Sequence, residues 1–399
     1  MFSDIIPSGI ILGGMDPDPT VYNPFRFGPL APGDAFTDRL DERRELSAAI
    51  RHGEDVVIVA PRRYGKSSLK WRVAQDLVRD GVLVAQVDLM RTPTKERLVE
   101  KLATTIYEEV ATPLFRARER LGVFASLRVA PVATVSPDTG ELSFSFTGRY
   151  AESELDATIE GLLALPGRLA AQRGRPVALV LDEFQEVIAI DSGLLVLMRS
   201  VFQQQPEVAH LYLGSKRHMM ARIFDDKSEP YWRSMKQIEL GPIAPDHFVA
   251  YAARRFTQTG RALGHTAAVR ALQITGGHPY ATQELMYFLW EATPAGTSAG
   301  EQALERALEV TLRCEHAHFS LLWDRSAAAQ RMVLRALAAE SPGRPLSGGF
   351  QRRHRLPSTA TVQTALSALM RAEHVRREGR GEYAIAEPFL AEWIARYEV

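Results

Sequence analysis

Cysteine is all but missing from the 399-residue chain, where Cys314 stands alone. A single thiol can form neither an intrachain disulfide nor a cysteine-based metal cluster, and the composition suits a reducing compartment. Cys314 itself is expected as a small buried apolar side chain. Net charge is lacking too: 48 Lys and Arg balance 48 Asp and Glu. No overall field draws the molecule to nucleic acid or to an anionic membrane, so any such site must be local. Nor does any apolar run approach the ~20 residues that cross a bilayer. Residues 1–11 carry no basic leader and are broken by Pro7 and Gly9, which makes them a poor signal peptide. These absences point to a cytoplasmic protein with no membrane role.

What is present is a globular composition, 46% hydrophobic and 24% charged, on a length that suits about two or three domains. Residues 1–22, rich in Gly, Pro and Asp, read as an N-terminal arm. Val56-Val57-Ile58-Val59 is the continuous apolar run of a strand buried on both faces. A turn follows, then a helix over residues 66–80 stopped by Gly81, and a second strand over 82–89. Further strands are expected at 177–181, 210–213 and 237–240, with helical patterns between them. That alternation predicts an α/β core on a mostly parallel sheet.

Residues 127–146 break the rhythm, since strand-like runs flank the turn composition Pro137-Asp138-Thr139-Gly140. An inserted β-hairpin within about residues 124–150 is expected there. Beyond Gly241-Pro242 strands give way to helical periodicity through residues 247–290, followed by a linker at 293–300. The remainder predicts a helix at 327–339, a Gly/Pro/Arg loop, a helix at 359–370 and a hairpin over 375–385, the order of a winged helix. The expected division is an arm (1–22), an α/β core (23–243), a helical module (244–318) and a winged helix (319–399).

Ala60-Pro61-Arg62-Arg63-Tyr64-Gly65-Lys66-Ser67 matches the phosphate-binding P-loop, with Ala60 in place of its first glycine. The segment leaves a buried strand and opens a helix, the context that phosphate binding needs. Backbone N–H groups at a helix start have no intrahelical partner and point, with the positive end of the dipole, at an anion. The candidate cradle runs from Pro61 through Arg62, Arg63, Tyr64 and Gly65 to Lys66, Ser67 and Ser68. Within it Lys66 neutralises the outer phosphates of ATP or ADP, and the Ser67 hydroxyl is a ligand for Mg²⁺. Ala60 fits if its φ is negative.

Val177-Ala178-Leu179-Val180-Leu181 ends in Asp182-Glu183, two carboxylates at the carboxyl end of a strand, where open α/β sheets bind ligands. Asp182 is the candidate metal carboxylate and Glu183 the candidate general base toward water. A third strand end, Gly214-Ser215-Lys216-Arg217, offers the Ser215 hydroxyl to a phosphate or the water. Lys216 and Arg217 read more readily as a solvated charge pair than as catalytic groups.

On these residues the chain resembles the STAND branch of AAA+ ATPases, in particular the archaeal-type ATPase family that also occurs in bacteria. The likeness runs from about residue 23 to the end, through Asn23-Pro24-Phe25-Arg26-Phe27-Gly28, Phe36-Thr37-Asp38-Arg39, the P-loop, Leu181-Asp182-Glu183-Phe184, Gly214-Ser215 and Gly276-Gly277-His278-Pro279-Tyr280. It implies a sheet order 5-1-4-3-2 and an ATP-driven switch with a helical lid and a winged helix. Asp38 and Arg39 would lie near the adenine, Pro279 would touch base or ribose, and Arg233 falls where relatives sense the terminal phosphate. His278 serves equally as a structural histidine at a helix start. No trans-acting arginine finger is assigned.

Between Gly343 and Arg380 eight arginines face Glu373 and Glu378, a local excess of six positive charges in a neutral protein. Arg352, Arg353, Arg355, Arg376, Arg377 and Arg380 flank the expected recognition helix and wing and are the candidate DNA phosphate contacts. The recognition helix itself has no Lys or Arg over residues 359–370, so base reading would be weak or water-mediated. By the resemblance, this module also serves as a nucleotide lid and a protein or self-assembly contact. His316 and His318, two apart on a helix, do not share a face and make a poor metal pair. Two functions remain open: an ATP-hydrolysing switch, or a winged-helix DNA or protein adaptor in which the nucleotide is structural.

Overall fold

The computed structural model describes residues 22–28, 39–111, 130–135, 142–147 and 152–398. They fall into two compact units: residues 28–248 with 276–280, and residues up to 27 with 249–275 and 281–399. The first is built on a parallel sheet. Its strands are β1 (Val56–Val59), β2 (Leu83–Asp88), β5 (Val177–Asp182), β6 (Val208–Gly214) and β7 (Lys236–Glu239), while β3 (Ala130–Val135) and β4 (Leu142–Thr147) form a separate antiparallel pair. The sheet order is β2-β5-β6-β1-β7, parallel throughout. Numbering only the strands of this sheet along the chain gives 5-1-4-3-2, the order the resemblance implies.

The apolar runs are continuous because both faces of the sheet are buried. Alternate residues go to opposite layers. Val57, Leu179, Leu181 and Tyr212 enter one core, with Leu102, Leu162, Met198 and Met220 from covering helices. Val56, Ile58, Val180, Leu211 and Leu213 enter the other, with Leu46, Leu69, Val73 and Leu77. The second layer comes from helices Leu40–Arg51 and Lys66–Arg79. Helix Lys66–Arg79 starts at Gly65, at φ 83°, and stops at Asp80 before Gly81 at φ 85°, so both ends sit where glycine can adopt left-handed backbone. The hairpin expected within 124–150 is present as β3 and β4, paired from Ala130 with Thr147 to Val135 with Leu142. Its turn at Pro137–Gly140 lies outside the described residues, as do the arm to residue 21 and Asp38.

The second unit is helical, and it claims the segment expected to open the α/β core. Phe25 is fully buried there, with ring centroids 6.1 Å from Tyr251 and 5.4 Å from Phe256. The Asn23 amide donates to the Tyr287 carbonyl at 3.1 Å and to Glu291 Oε1 at 2.9 Å. So short a segment has no core of its own and buries its aromatics in that of the helices. The strands do not stop after Gly241-Pro242 as expected. Ala262–Leu263 pairs in parallel with Ser298–Ala299, a ladder too short to leave a period-two signature.

Helix Glu301–Arg325 runs without a break past residue 318. Helices Ala328–Ala339 and Thr359–Arg371 and the antiparallel hairpin Val375–Gly379 with Glu382–Ile385 follow as expected. The Gly/Pro/Arg loop is not all loop. Ser347 caps a short helix, Gly348–Arg353, through its hydroxyl to the Phe350 N–H. A helix at Leu390–Tyr397 closes the chain. Val333, Leu337, Phe350, Val362, Leu366, Leu369 and Trp393 are buried in this module. Cys314 is exposed on Glu301–Arg325 and not buried as expected. Ala307, seven residues earlier and nearly in line with position 314, is buried, but no residue from 313 to 318 is, so Cys314 falls in a stretch of the helix that nothing covers until Phe319.

Candidate functional site

In a parallel sheet the carboxyl ends of all strands lie along one edge. Registers β1 to β6 (Val59 opposite Gly214) and β5 to β6 (Leu181 opposite Tyr212) bring the ends of three adjacent strands level there. The P-loop leaves β1, the Asp182-Glu183 pair ends β5, and Ser215 follows β6. Residues far apart in sequence therefore meet. Lys66 Nζ donates to Glu183 Oε1 at 3.0 Å and lies 4.0 Å from Asp182 Oδ1. Ser215 Oγ donates to Glu183 Oε2 at 2.7 Å.

Two residues that sequence reading passes over belong to the same cluster. Lys70 Nζ donates to Asp182 Oδ2 at 2.6 Å, and Gln185 Nε2 donates to Glu183 Oε2 at 2.6 Å. Lys70 follows Lys66 by four residues, the spacing that puts both on one helix face; that spacing was the available signal. Gln185 had none, because its role depends on a 3-10 turn, Phe184–Glu186, entered through Glu183 at φ 52° and ψ 46°. Gln185 is fully buried and its Oε1 has no partner.

Lys66, Ser68 and Ser215 are buried and Ser67 is half-buried. Burial alone would push the Glu183 carboxyl up. The Lys66 charge, with hydrogen bonds from Gln185, Ser215 and Lys66, outweighs burial and holds it below the usual glutamate range.

The loop enters helix Lys66–Arg79 through Gly65, which has no side chain to cap the helix start, and a Cβ on Gly65 would meet nothing within 4 Å. Ala60 is buried, is not among the positive-φ residues, and donates its N–H to the Gly214 carbonyl at 3.3 Å. The substitution of the motif glycine is thus accommodated without strain. Pro61 is half-buried, and Arg62 and Arg63 are exposed. The Arg63 guanidinium lies 4.3 Å from the Tyr280 ring centroid, and Tyr64 meets His278 edge-on at 4.6 Å. The Gly276–Tyr280 element is thereby held against the loop, and Pro279 opens helix Pro279–Glu291 beside it.

Other candidates have partners outside the Lys66–Glu183 cluster. The Arg39 side chain is committed to Glu42 at 2.8 Å and to the Gly241 carbonyl. Arg233 is exposed over the Trp232 ring at 5.6 Å and shares no hydrogen bond or ion pair with Lys66, Asp182, Glu183 or Ser215 among the described residues. Lys216 pairs with Glu186 at 2.8 Å and Arg217 with Glu239 at 2.6 Å.

A family model described as a probable winged helix domain matches residues 317–396. Among solved structures the chain is similar to a Walker-type ATPase of Pyrococcus abyssi, at 17% identity over 93% of this chain and 99% of that one, with a TM-score of 0.63. It is also similar to the ORC2 protein of Aeropyrum pernix in its ADPNP–ADP complexes, at 14% identity over 90% and 94%, with a TM-score of 0.50. No curated protein matches the sequence. The fold is that of the AAA+ P-loop ATPases, with a C-terminal winged helix.

The arginines of that winged helix divide into two sets. Arg353 pairs with Glu340 at 2.7 Å, Arg344 with Glu382 at 2.7 Å and Arg376 with Glu378 at 2.5 Å. Arg352, Arg355, Arg371, Arg377 and Arg380 are exposed and have no acidic partner among the described residues. His316 accepts from the Trp393 indole at 3.1 Å, a packing role. No group of His, Cys, Asp and Glu fit to hold a metal occurs among the described residues, and no described helix is long and apolar enough to cross a membrane.

Proposed function

We propose that the chain binds ATP and, with Mg²⁺, hydrolyses it to ADP and phosphate, acting as a nucleotide-dependent switch of the STAND branch of AAA+ ATPases. In this reading the α/β core works with a helical lid and a C-terminal winged helix. One observation carries the proposal: Lys66, Asp182, Glu183 and Ser215 converge at the ends of three neighbouring strands beside the start of helix Lys66–Arg79. The ADPNP and ADP of the Aeropyrum pernix neighbour support a nucleotide in this fold.

Each side chain has a task that its contacts prepare. Lys66 leaves Glu183 for the outer phosphates, which bind in the cradle from Pro61 to Ser68. Ser215 and Gln185 keep hold of Glu183 Oε2, so Oε1 becomes the free oxygen. That oxygen takes a proton from water as the water oxygen bonds to the terminal phosphorus and the bond to the β-phosphate oxygen breaks, giving ADP and phosphate. Mg²⁺ when bound would draw charge off the phosphates, with the Ser67 hydroxyl and, through water, Asp182 to hold it. Pro279, Arg39, Asp38 and Arg233 are proposed nucleotide contacts on the resemblance, and for Pro279 the contacts of its neighbours His278 and Tyr280 with Tyr64 and Arg63 support the reading.

The deciding experiment is single-turnover hydrolysis by wild type and Glu183→Gln. A rate loss of ~10² to 10⁴, typical of a positioned base, with ATP binding retained, is expected. An unchanged rate with ATP bound normally would refute Glu183 as the base. The second reading, a DNA- or protein-binding adaptor with little turnover, draws on the five exposed arginines without acidic partners, which suit phosphate contacts.

A further inference from the structure

The two carboxylates of the site are held differently. Glu183 carries the P-loop lysine, whereas Asp182 carries a second lysine that phosphate binding does not call for. Lys70 Nζ sits 2.6 Å from Asp182 Oδ2, and the other oxygen, Oδ1, accepts the Glu183 N–H at 3.0 Å. Both carboxylate oxygens are engaged. The side chains of Lys70 and Asp182 are only 17% and 13% exposed, so water screens the pair weakly.

We infer that Lys70 is a positioning residue that fixes the Asp182 carboxylate and raises the divalent-cation concentration at which the site accepts a nucleoside triphosphate. The inference rests on the proposed nucleotide reading. Two lysines against two carboxylates leave the cluster formally neutral before substrate arrives. An ammonium and a hard divalent cation compete for the same carboxylate oxygens, so the cation gains little by entering alone and comes with the phosphates. Without Lys70 the cluster carries one net negative charge, which favours the cation, while Asp182 loses the contact that sets its orientation.

The test uses the full chain with Lys70→Met, which keeps an apolar stem without charge, Lys70→Gln, which keeps a donor without charge, and Lys70→Arg, which keeps both. Binding of a fluorescent ATP analogue is titrated over a range of Mg²⁺ concentrations, alongside thermal melts and single-turnover hydrolysis. Lys70→Met and Lys70→Gln should lower the half-saturating Mg²⁺ by about tenfold, the scale of one hydrogen bond to a charged group. Lys70→Arg should restore the wild-type Mg²⁺ dependence. Hydrolysis should suffer more in Lys70→Met than in Lys70→Gln, because only the second still holds Asp182. Wild-type Mg²⁺ dependence in folded Lys70→Gln or Lys70→Met would overturn the inference alone. A wild-type chain that fails to bind the analogue at any Mg²⁺ concentration would overturn the nucleotide reading and this inference with it.

Discussion

Gly214, at the end of β6, is the position where sterics and the site meet most tightly. A Cβ added there would lie 2.2 Å from Met220 Sδ, 2.4 Å from Met220 Cγ and 2.7 Å from Gln185 Oε1. Met220 and Gln185 are fully buried, so neither can swing into solvent. The Gly214 backbone is not in the left-handed region, and Gly214→Ala therefore acts by crowding and not by backbone strain. Met220 is flexible enough to yield, which keeps the cost in the usual overpacking range of about 1–3 kcal/mol. For a unit of this size each kcal/mol lowers Tm by roughly 2–4 °C, so a drop of about 2–12 °C is expected in thermal unfolding of the full chain. Met220→Ala removes the nearest atoms and leaves a void, costing about 2–5 kcal/mol alone. In the double variant the methyl introduced by Gly214→Ala enters that void. The pair should be less destabilised than the sum of the single changes by about 1–3 kcal/mol. Additive effects, or an unshifted melt in Gly214→Ala, would refute the packing argument. Gly214→Ala should also slow single-turnover hydrolysis, since Gln185 is pushed at the end opposite its bond to Glu183.

Lys66→Ala should weaken ATP binding by about tenfold to a hundredfold, the scale of a lost charge-assisted hydrogen bond; titration with a fluorescent ATP analogue checks it, and unchanged affinity would remove Lys66 from the site. For the winged helix, replacing Arg352, Arg355, Arg377 and Arg380 by Ala should weaken DNA binding across all sequences and flatten the salt slope by about 0.9 per lost phosphate contact. Arg353→Ala and Arg376→Ala should matter less, because Glu340 and Glu378 already neutralise those heads. Filter binding over a salt series reads both, and an equal loss from the paired and unpaired sets would sink the distinction.

Legibility in the sequence followed how local each feature is. Strands β1, β5 and β6 announce themselves because burial on both faces makes their apolar runs continuous. The P-loop and the Asp182-Glu183 pair are equally plain, since each needs only a strand end and a few consecutive residues. Lys70 and Gln185 escaped notice because their importance lies in partners on another element or in a turn geometry that no periodicity encodes. Helix Gly348–Arg353 was hidden by two glycines at its start, both poor helix formers. The ladder of Ala262–Leu263 with Ser298–Ala299 is set by tertiary contact alone. Phe25 falls within the 23–243 core that the resemblance implies, yet an aromatic on a short segment goes wherever a core will take it. Counting arginines likewise overstated the free charge near the wing, because Glu340 and Glu382 fold back on Arg353 and Arg344 from outside or beyond the counted run.

The contact between Lys66 and Glu183 changes what nucleotide affinity measures in this chain. Because Lys66 starts out bonded to Glu183 at 3.0 Å, taking up phosphate is an exchange of one anionic partner for another. The observed affinity is the difference between the two attachments. Glu183 is not stranded by the exchange, since Ser215 and Gln185 stay on its second oxygen at 2.7 and 2.6 Å. In the proposed function its other oxygen is free only while Lys66 is on the phosphate, so the proposed base would be uncovered by the event that delivers its substrate. Neutralising Glu183 also weakens its grip on Lys66. The Glu183→Gln variant therefore has a reason to hold ATP at least as tightly as wild type while hydrolysing it more slowly, and opposite movement of affinity and rate is what separates a base from a residue that merely shapes the pocket.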